Sequence, residues 1–206
     1  MKLDFWFDPA CPWTWATSRW LVEVTGARGH EVTWRPYSLP VKNGVLDGTA
    51  PEGMPDHIVE AAKGDHRALR VVAAVRREDP AGVGPLYTEL GRRFHHDGVV
   101  PSEDDLAAML TAVGLDPALA VAADDASLDA DLRASMAEAT DLVGDDVGVP
   151  ILAVDGQAVF GPILAPAPTG DAALRLFDAV VATLTEPGFF ELKRARTRGP
   201  ALPERP

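Results

Sequence analysis

Hydrophobic and polar positions change period along the chain, and each change marks an element. Leu3 to Phe7 is an almost unbroken apolar run, as in a strand buried on both faces. It breaks at Asp8-Pro9. After Cys11-Pro12 the helical spacing of Trp15, Arg19, Trp20, Leu21 and Val24 predicts a helix that ends near Thr25-Gly26, with Gly26 or Gly29 as its stop. Proline is favoured at a first helical position, where its missing N–H costs nothing, so Cys11 is expected at the N-cap. Glu31 to Ser38 alternates apolar and polar residues and reads as a second strand. Pro36 puts the end of that strand at an edge or a bulge. Strand, helix and strand make a βαβ unit, expected to cross over right-handed.

From Leu39 to about Gly53 the pattern is lost among Pro40, Asn43-Gly44, Asp47-Gly48 and Pro51, which predicts a loop. Helical periods then dominate to about Val143. Ile58, Ala61 and Ala62, with Leu69, Val72, Ala73 and Arg76, suit one or two helices, and Leu86, Leu90 and Phe94 mark another. Ser102-Glu103-Asp104-Asp105 has a capping-box pattern before the stripe Leu106, Met109, Leu110, Val113. Asp116-Pro117 begins a short helix, and Leu128, Leu132, Met136 and Ala139 form a further stripe. Strand character returns from Gly148 to Phe160. There Asp155-Gly156 between two apolar runs predicts a hairpin. Thr169-Gly170-Asp171 caps a last helix carrying Leu174, Leu176, Phe177 and Val180. Gly188 to Arg194 reads as a short amphipathic segment, and the proline-rich end is expected to be disordered.

Composition narrows what this pattern serves. The chain has 206 residues, 47% of them hydrophobic, enough for a sizeable core. Its net charge of −12 argues against nucleic acid and anionic membrane as partners. A single cysteine excludes an internal disulfide framework. No run approaches the roughly 20 apolar residues needed to span a bilayer. Asp4 and Asp8 interrupt any signal-peptide pattern, so a cytoplasmic, reducing location is expected.

The candidate chemistry centres on Cys11. At the N-cap of a helix that follows a strand, a thiol meets unpaired amide N–H groups and the positive end of the helix dipole, both of which favour thiolate. A lone cysteine is often only a small buried hydrophobe, but this context favours a nucleophile. The scattered His57, His66, His95 and His96 lack metal-ligand spacing, so no metal site is expected. A histidine facing the cysteine would serve as acid or base, whereas His95-His96 reads more simply as a helix-end pair. Gly82-x-Gly84 is too little for a nucleotide loop.

The order strand, Cys-Pro-x-x at a helix start, strand, helical block, Val149-Pro150, hairpin, helix resembles the thioredoxin fold with a helical insertion, as in the DsbA-like superfamily. Cys11-Pro12-Trp13-Thr14 stands where that superfamily has Cys-x-x-Cys, and Val149-Pro150 resembles its cis-proline loop. Six further blocks narrow the likeness: Phe5-Trp6-Phe7-Asp8-Pro9 with Cys11-Pro12-Trp13, Thr17-Ser18-Arg19-Trp20, Pro85-Leu86-Tyr87, Gly144-Asp145-Asp146-Val147-Gly148, Phe160-Gly161-Pro162 and Phe189-Phe190-Glu191-Leu192-Lys193-Arg194. Together they resemble the actinobacterial mycothiol-dependent nitroreductase family, over nearly the full length and most weakly from Pro40 to Gly84.

The resemblance implies an α/β thioredoxin fold with a large all-helical insertion between the second strand and the cis-Pro strand. It divides the chain into a thioredoxin-like domain (1–40 and 144–195), a helical insertion (41–143) and a flexible tail (196–206). It implies a thiol oxidoreductase in which Cys11 works with a low-molecular-weight thiol, mycothiol or similar, to reduce small electrophilic or nitro substrates, with no tightly bound cofactor. A redoxin is a further partner of that kind of cycle. That family commonly has a second cysteine at the position of Thr14. With threonine there, Cys11 cannot close an intramolecular disulfide, which leaves a monothiol cycle. Thr14, one helical turn on, is then expected to offer its hydroxyl to the thiolate. Pro12 would fix the helix start, and Trp13 would stack on a flat ligand or pack in the core. Val149 would offer its backbone to a bound thiol beside a cis Pro150, and Asn43 would contact ligand or simply make an Asn-Gly turn. Two alternatives remain: a thiol-dependent isomerase or transferase similar to the kappa-class glutathione transferases and 2-hydroxychromene-2-carboxylate isomerases, with the hydroxyl of Thr14 or Ser18 near the bound thiol, or a redox-inactive binding homologue.

Overall fold

Strand β1 (Leu3–Phe7) is buried along its whole length, as an apolar run without alternation requires. The computed structural model describes residues 1–50 and 52–206, so Pro51 of the expected loop lies outside the described residues. Helix α1 (Pro12–Arg28) starts at Cys11 and stops at Gly29, whose φ of 67° is the left-handed conformation that lets its N–H close the last turn. Its buried face carries Trp15, Ala16, Trp20, Leu21 and Val24. Strand β2 (Val32–Pro36) follows.

The helical stretch comes next. A four-residue helix α2 (Leu39–Lys42), capped by Ser38, occupies the start of what the sequence suggests is loop. The Ser38 hydroxyl accepting from the Val41 N–H makes this turn, a side-chain device that periodicity cannot register. A single helix α3 (Asp56–Glu78) takes up the two apolar sets of residues 58–76. Helix α4 (Val83–Arg92) ends sooner than its period suggests, because Arg93–Asp97 widens into a π-helical turn. Helix α5 (Glu103–Ala112) has the expected capping box between Ser102 and Asp105. Residues Pro117–Asp124 form a 3-10 helix rather than an α-helix. Helix α6 (Asp129–Val143) completes the stretch.

Strands β3 (Ile151–Val154) and β4 (Gln157–Phe160) form the hairpin, with Asp155 at φ 49° and Gly156 at φ 87°. Both positive values suit a two-residue turn that follows the twist of the strands. The sheet order is β2-β1-β3-β4, and β3 runs antiparallel to both of its neighbours. Helix α7 (Gly170–Leu184) ends the regular structure. Beyond it the expected amphipathic segment buries no apolar face: Phe190 and Leu192 are 88% and 87% exposed.

By contacts the chain forms two compact units. The first comprises Met1–Phe7, Cys11–Arg35 and Glu138–Glu204, and the second Asp8–Ala10, Pro36–Ala137 and Arg205–Pro206. The core of the first is aromatic. Phe5 meets Trp34 edge to face with centroids 5.4 Å apart, and Trp20 donates its indole N–H to the Ala173 carbonyl at 3.1 Å. Fully burying each such ring contributes about 1.5–3 kcal/mol. Asp4, buried in β1, is paired with Arg35 at 2.7 Å, which offsets the cost of its burial. In the second unit α3 is the central helix, burying Leu69, Val71, Val72 and Val75 among others.

Candidate active site

The β1–α1 connection places the only cysteine of the chain at a helix start. Cys11 is the N-cap of α1, Pro12 follows it, and no acidic residue lies in the first turn to oppose an anion there. The Cys11 carbonyl accepts from the Trp15 N–H at 3.0 Å, which seats Cys11 on the helix axis. Its side chain is 8% exposed, and its Sγ lies 4.0 Å from the Val149 carbonyl oxygen. Val149–Pro150 is cis. The same loop is held by the Gly161 N–H, which donates to the Pro150 carbonyl, and Thr17 of α1 donates to the Pro162 carbonyl, both at 2.8 Å. Cys11, Val149 and Pro150, far apart in sequence, thus stand together.

The Val149 carbonyl faces the Cys11 sulfur itself. Thr14 is fully buried. The expected hydrogen bond to Cys11 is not made: among the described residues the Thr14 Oγ1 has no partner. The sulfur already points at a carbonyl, a contact only a protonated thiol can donate, and a hydroxyl has reason to turn toward the sulfur once that proton has gone. Ser18 donates its hydroxyl to the Trp15 carbonyl at 2.8 Å and caps nothing else in the first turn. Trp13 is half-buried, and the guanidinium of Arg196 lies 5.1 Å from its ring centroid. The sequence offers the string of cations around Arg196 but no sign that it returns to Trp13.

The second unit holds the remaining candidates. Asn43 is exposed at the C-cap of α2, its N–H donating to the Leu39 carbonyl. His57 is exposed. His66 bridges Ser38, 3.0 Å from Nδ1, and Asp129, 2.9 Å from Nε2, while Arg70 clamps Asp129 with two further bonds. This is a serine–histidine–aspartate chain, but Ser38 is fully buried and caps α2, so its hydroxyl braces the helix and meets no substrate. Burial pushes the His66 imidazole below its ordinary value, and the Arg70 clamp lowers the Asp129 carboxyl.

Two groups hold the turn Asp8–Ala10. His95, in the π-helical turn, donates from Nε2 to the Pro9 carbonyl at 2.8 Å, and burial pushes its imidazole down to about 4. It is neutral and braces a backbone, rather than capping a helix end. Asp65 of α3, 1% exposed, contacts Asp8, also 1% exposed. Asp8 accepts from the Ala10 and Leu39 N–H groups, at 3.1 and 2.8 Å. Burial, and then the Asp8 charge, hold the Asp65 carboxyl well above the usual range, which favours the neutral acid beside Asp8. A carboxylate inside the polar spacing of α3 gives no sequence signal of this partnership. Among the described residues no group of three metal-ligating side chains gathers, and no helix is long and apolar enough to cross a membrane.

Comparison with known proteins agrees with this geometry. An uncharacterized Mycobacterium tuberculosis protein, Rv2286c, is 32% identical over 197 residues, covering 95% of this chain and 82% of the relative. A probable DsbA oxidoreductase from Streptomyces coelicolor, SCO1869, superposes with a TM-score of 0.59 at 20% identity, over 98% of this chain and 99% of that one. The cytosolic disulfide reductase DsbM from Pseudomonas aeruginosa, solved with GSH, does so with a TM-score of 0.58 at 17% identity, over 88% and 100%. These two show the DsbA-like thioredoxin fold, here with its helical insertion between β2 and β3. With residues 10–194 matching the model of the Rv2466c-like family, described as mycothiol-dependent nitroreductase Rv2466c, this chain belongs to that family of thiol oxidoreductases.

Proposed function

We propose that this chain is a monothiol oxidoreductase in which Cys11 and a low-molecular-weight thiol, mycothiol or one like it, reduce small electrophilic or nitro substrates in the cytoplasm. The observation that carries the reading is the placement of Cys11, the only cysteine, at the α1 N-cap against the Val149–Pro150 loop. The first-turn amides favour anionic sulfur. In the cycle, Cys11 and one mycothiol together give up two electrons and two protons to the substrate and become a mixed disulfide. A second mycothiol thiolate attacks the mycothiol sulfur of that disulfide. Cys11 leaves as thiolate, and oxidised mycothiol departs. No second protein cysteine is needed, and a redoxin is a further route for the resolving step.

The buried, unpartnered hydroxyl of Thr14 favours a second reading, in which the protein activates a bound thiol without net redox change, as a thiol-dependent isomerase or transferase would. One experiment separates the two. Intact protein is incubated with oxidised mycothiol and its mass compared with that of Cys11→Ser. The monothiol cycle requires a stoichiometric adduct that Cys11→Ser lacks and that reduced mycothiol removes. Absence of the adduct defeats it and favours the second reading.

A further inference from the structure

Four cations follow one another closely after α7: Lys193, Arg194, Arg196 and Arg198. All are exposed, and none makes an ion pair with any described residue. The chain carries −12, and Arg28, Arg35, Arg67, Arg70, Arg77, Arg92, Arg93 and Arg205 all have carboxylate partners. Arg76, Arg133 and Arg175 also lack an ion pair among the described residues, but each stands alone, whereas these four cations lie within six residues. The only acid among residues 187–199 is Glu191. An acidic protein that leaves one cationic run unneutralised has charge available for something outside itself.

The run is also placed. Arg196 lies over the ring of Trp13, 5.1 Å from its centroid, and Trp13 is two residues beyond Cys11 in the same first turn. A guanidinium stacked on an aromatic face keeps its edge N–H groups free, and these match a carboxylate in a two-pronged geometry. The first turn of α1 adds amide donors, no acidic residue, and in Thr14 a fully buried hydroxyl without a partner. Trp13 offers a flat surface beside the cation. An aromatic carboxylate would find ring, charge and sulfur in one place.

We propose that the basic run 193–198, held at the active site by Arg196 over Trp13, makes Cys11 selective for small anionic substrates, aryl carboxylates in particular. The inference rests on the reading of Cys11 as nucleophile. Its chemistry with a disulfide probe balances simply. The Cys11 thiolate attacks one sulfur, forms a mixed disulfide, and expels the other half as thiolate with the bonding electron pair.

The test compares two aryl disulfides, the dianionic dithiobis(nitrobenzoate) and the uncharged dithiodipyridine, by the rate at which each forms the Cys11 mixed disulfide. The readout is the ratio of the two rates, which cancels any change in the sulfur itself. The ratio is expected to fall about tenfold in Arg194→Ala/Arg196→Ala/Arg198→Ala, and to fall likewise in the natural protein as salt shortens the screening length. Arg196→Lys should lose the part that depends on the planar fork and keep the part that depends on charge. The salt series needs no variant, so a folding defect cannot obscure the result. A ratio unchanged by both salt and the triple substitution overturns the proposal while leaving Cys11 a nucleophile. Reaction with neither disulfide overturns the nucleophile reading and this inference with it.

Discussion

Thr14 sits one helical turn from Cys11 with a buried hydroxyl that no described residue satisfies. An unpaired buried hydroxyl costs stability, about 1–3 kcal/mol. Replacing it by the isosteric side chain of valine should therefore stabilise the fold, by about 1 kcal/mol in chemical denaturation. If the hydroxyl serves the thiolate, the same Thr14→Val change slows alkylation of Cys11 by iodoacetamide several-fold. The two readouts move in opposite senses only when the residue is held for function. A thiol alkylated as fast in Thr14→Val as in the natural protein removes Thr14 from the site. Cys11-Pro12 declared its own helix position, because N-cap and N1 preferences are local. The absence of a Thr14–Cys11 bond was not visible, because it depends on the Val149 carbonyl, supplied from the far end of the chain.

At the scale of elements, the turn Asp8–Ala10 is braced by two buried titratable groups with opposite demands. The folded-state value of Asp65 lies above its unfolded value of 3.8, so its proton favours the fold at low pH, and that contribution is lost as pH rises through the raised value. The folded-state value of His95, about 4, lies below its unfolded 6.5, so its contribution is present above 6.5 and is lost as pH falls toward 4. Tyr37 also lies near Asp8, and burial, then the Asp8 charge, raises it further out of this range. As pH rises from about 4 toward 6.5 the two contributions therefore change in opposite senses, and each shows separately when the other group is replaced. Asp65→Asn keeps a donor for Asp8 but no proton to lose. Its urea midpoint should gain on that of the natural protein as pH rises above about 4. In His95→Gln, which keeps a side-chain N–H for the Pro9 carbonyl, the loss of stability on acidification below 6.5 should be shallower. Parallel pH profiles would show that neither group carries its assigned proton state.

For the whole molecule, the net charge of −12 sets a background of self-repulsion. Surface ion pairs contribute roughly 0–1 kcal/mol each, so their screening is the smaller effect. Raising ionic strength from about 0.01 to about 0.15 M cuts the screening length from about 30 to about 8 Å. The melting temperature should rise over that interval. A fall would mean that exposed pairs such as Arg28–Asp178 and Arg67–Asp124 outweigh the net repulsion.

The order of elements, the N-cap cysteine, the Ser102 capping box and the Asp155-Gly156 hairpin were legible in the sequence alone, because each rests on residues adjacent along the chain and on periods of two or 3.6. The family was legible too, since its blocks are short and local. What only tertiary structure decided are the encounters between distant segments: the Val149 carbonyl on Cys11, Arg196 on Trp13, His95 on Pro9 and Asp65 on Asp8. A polar residue in a helical pattern has the same local signature whether it meets water or a buried carboxylate. The difference lies in burial and in the partner's charge, and both exist only once the chain has folded.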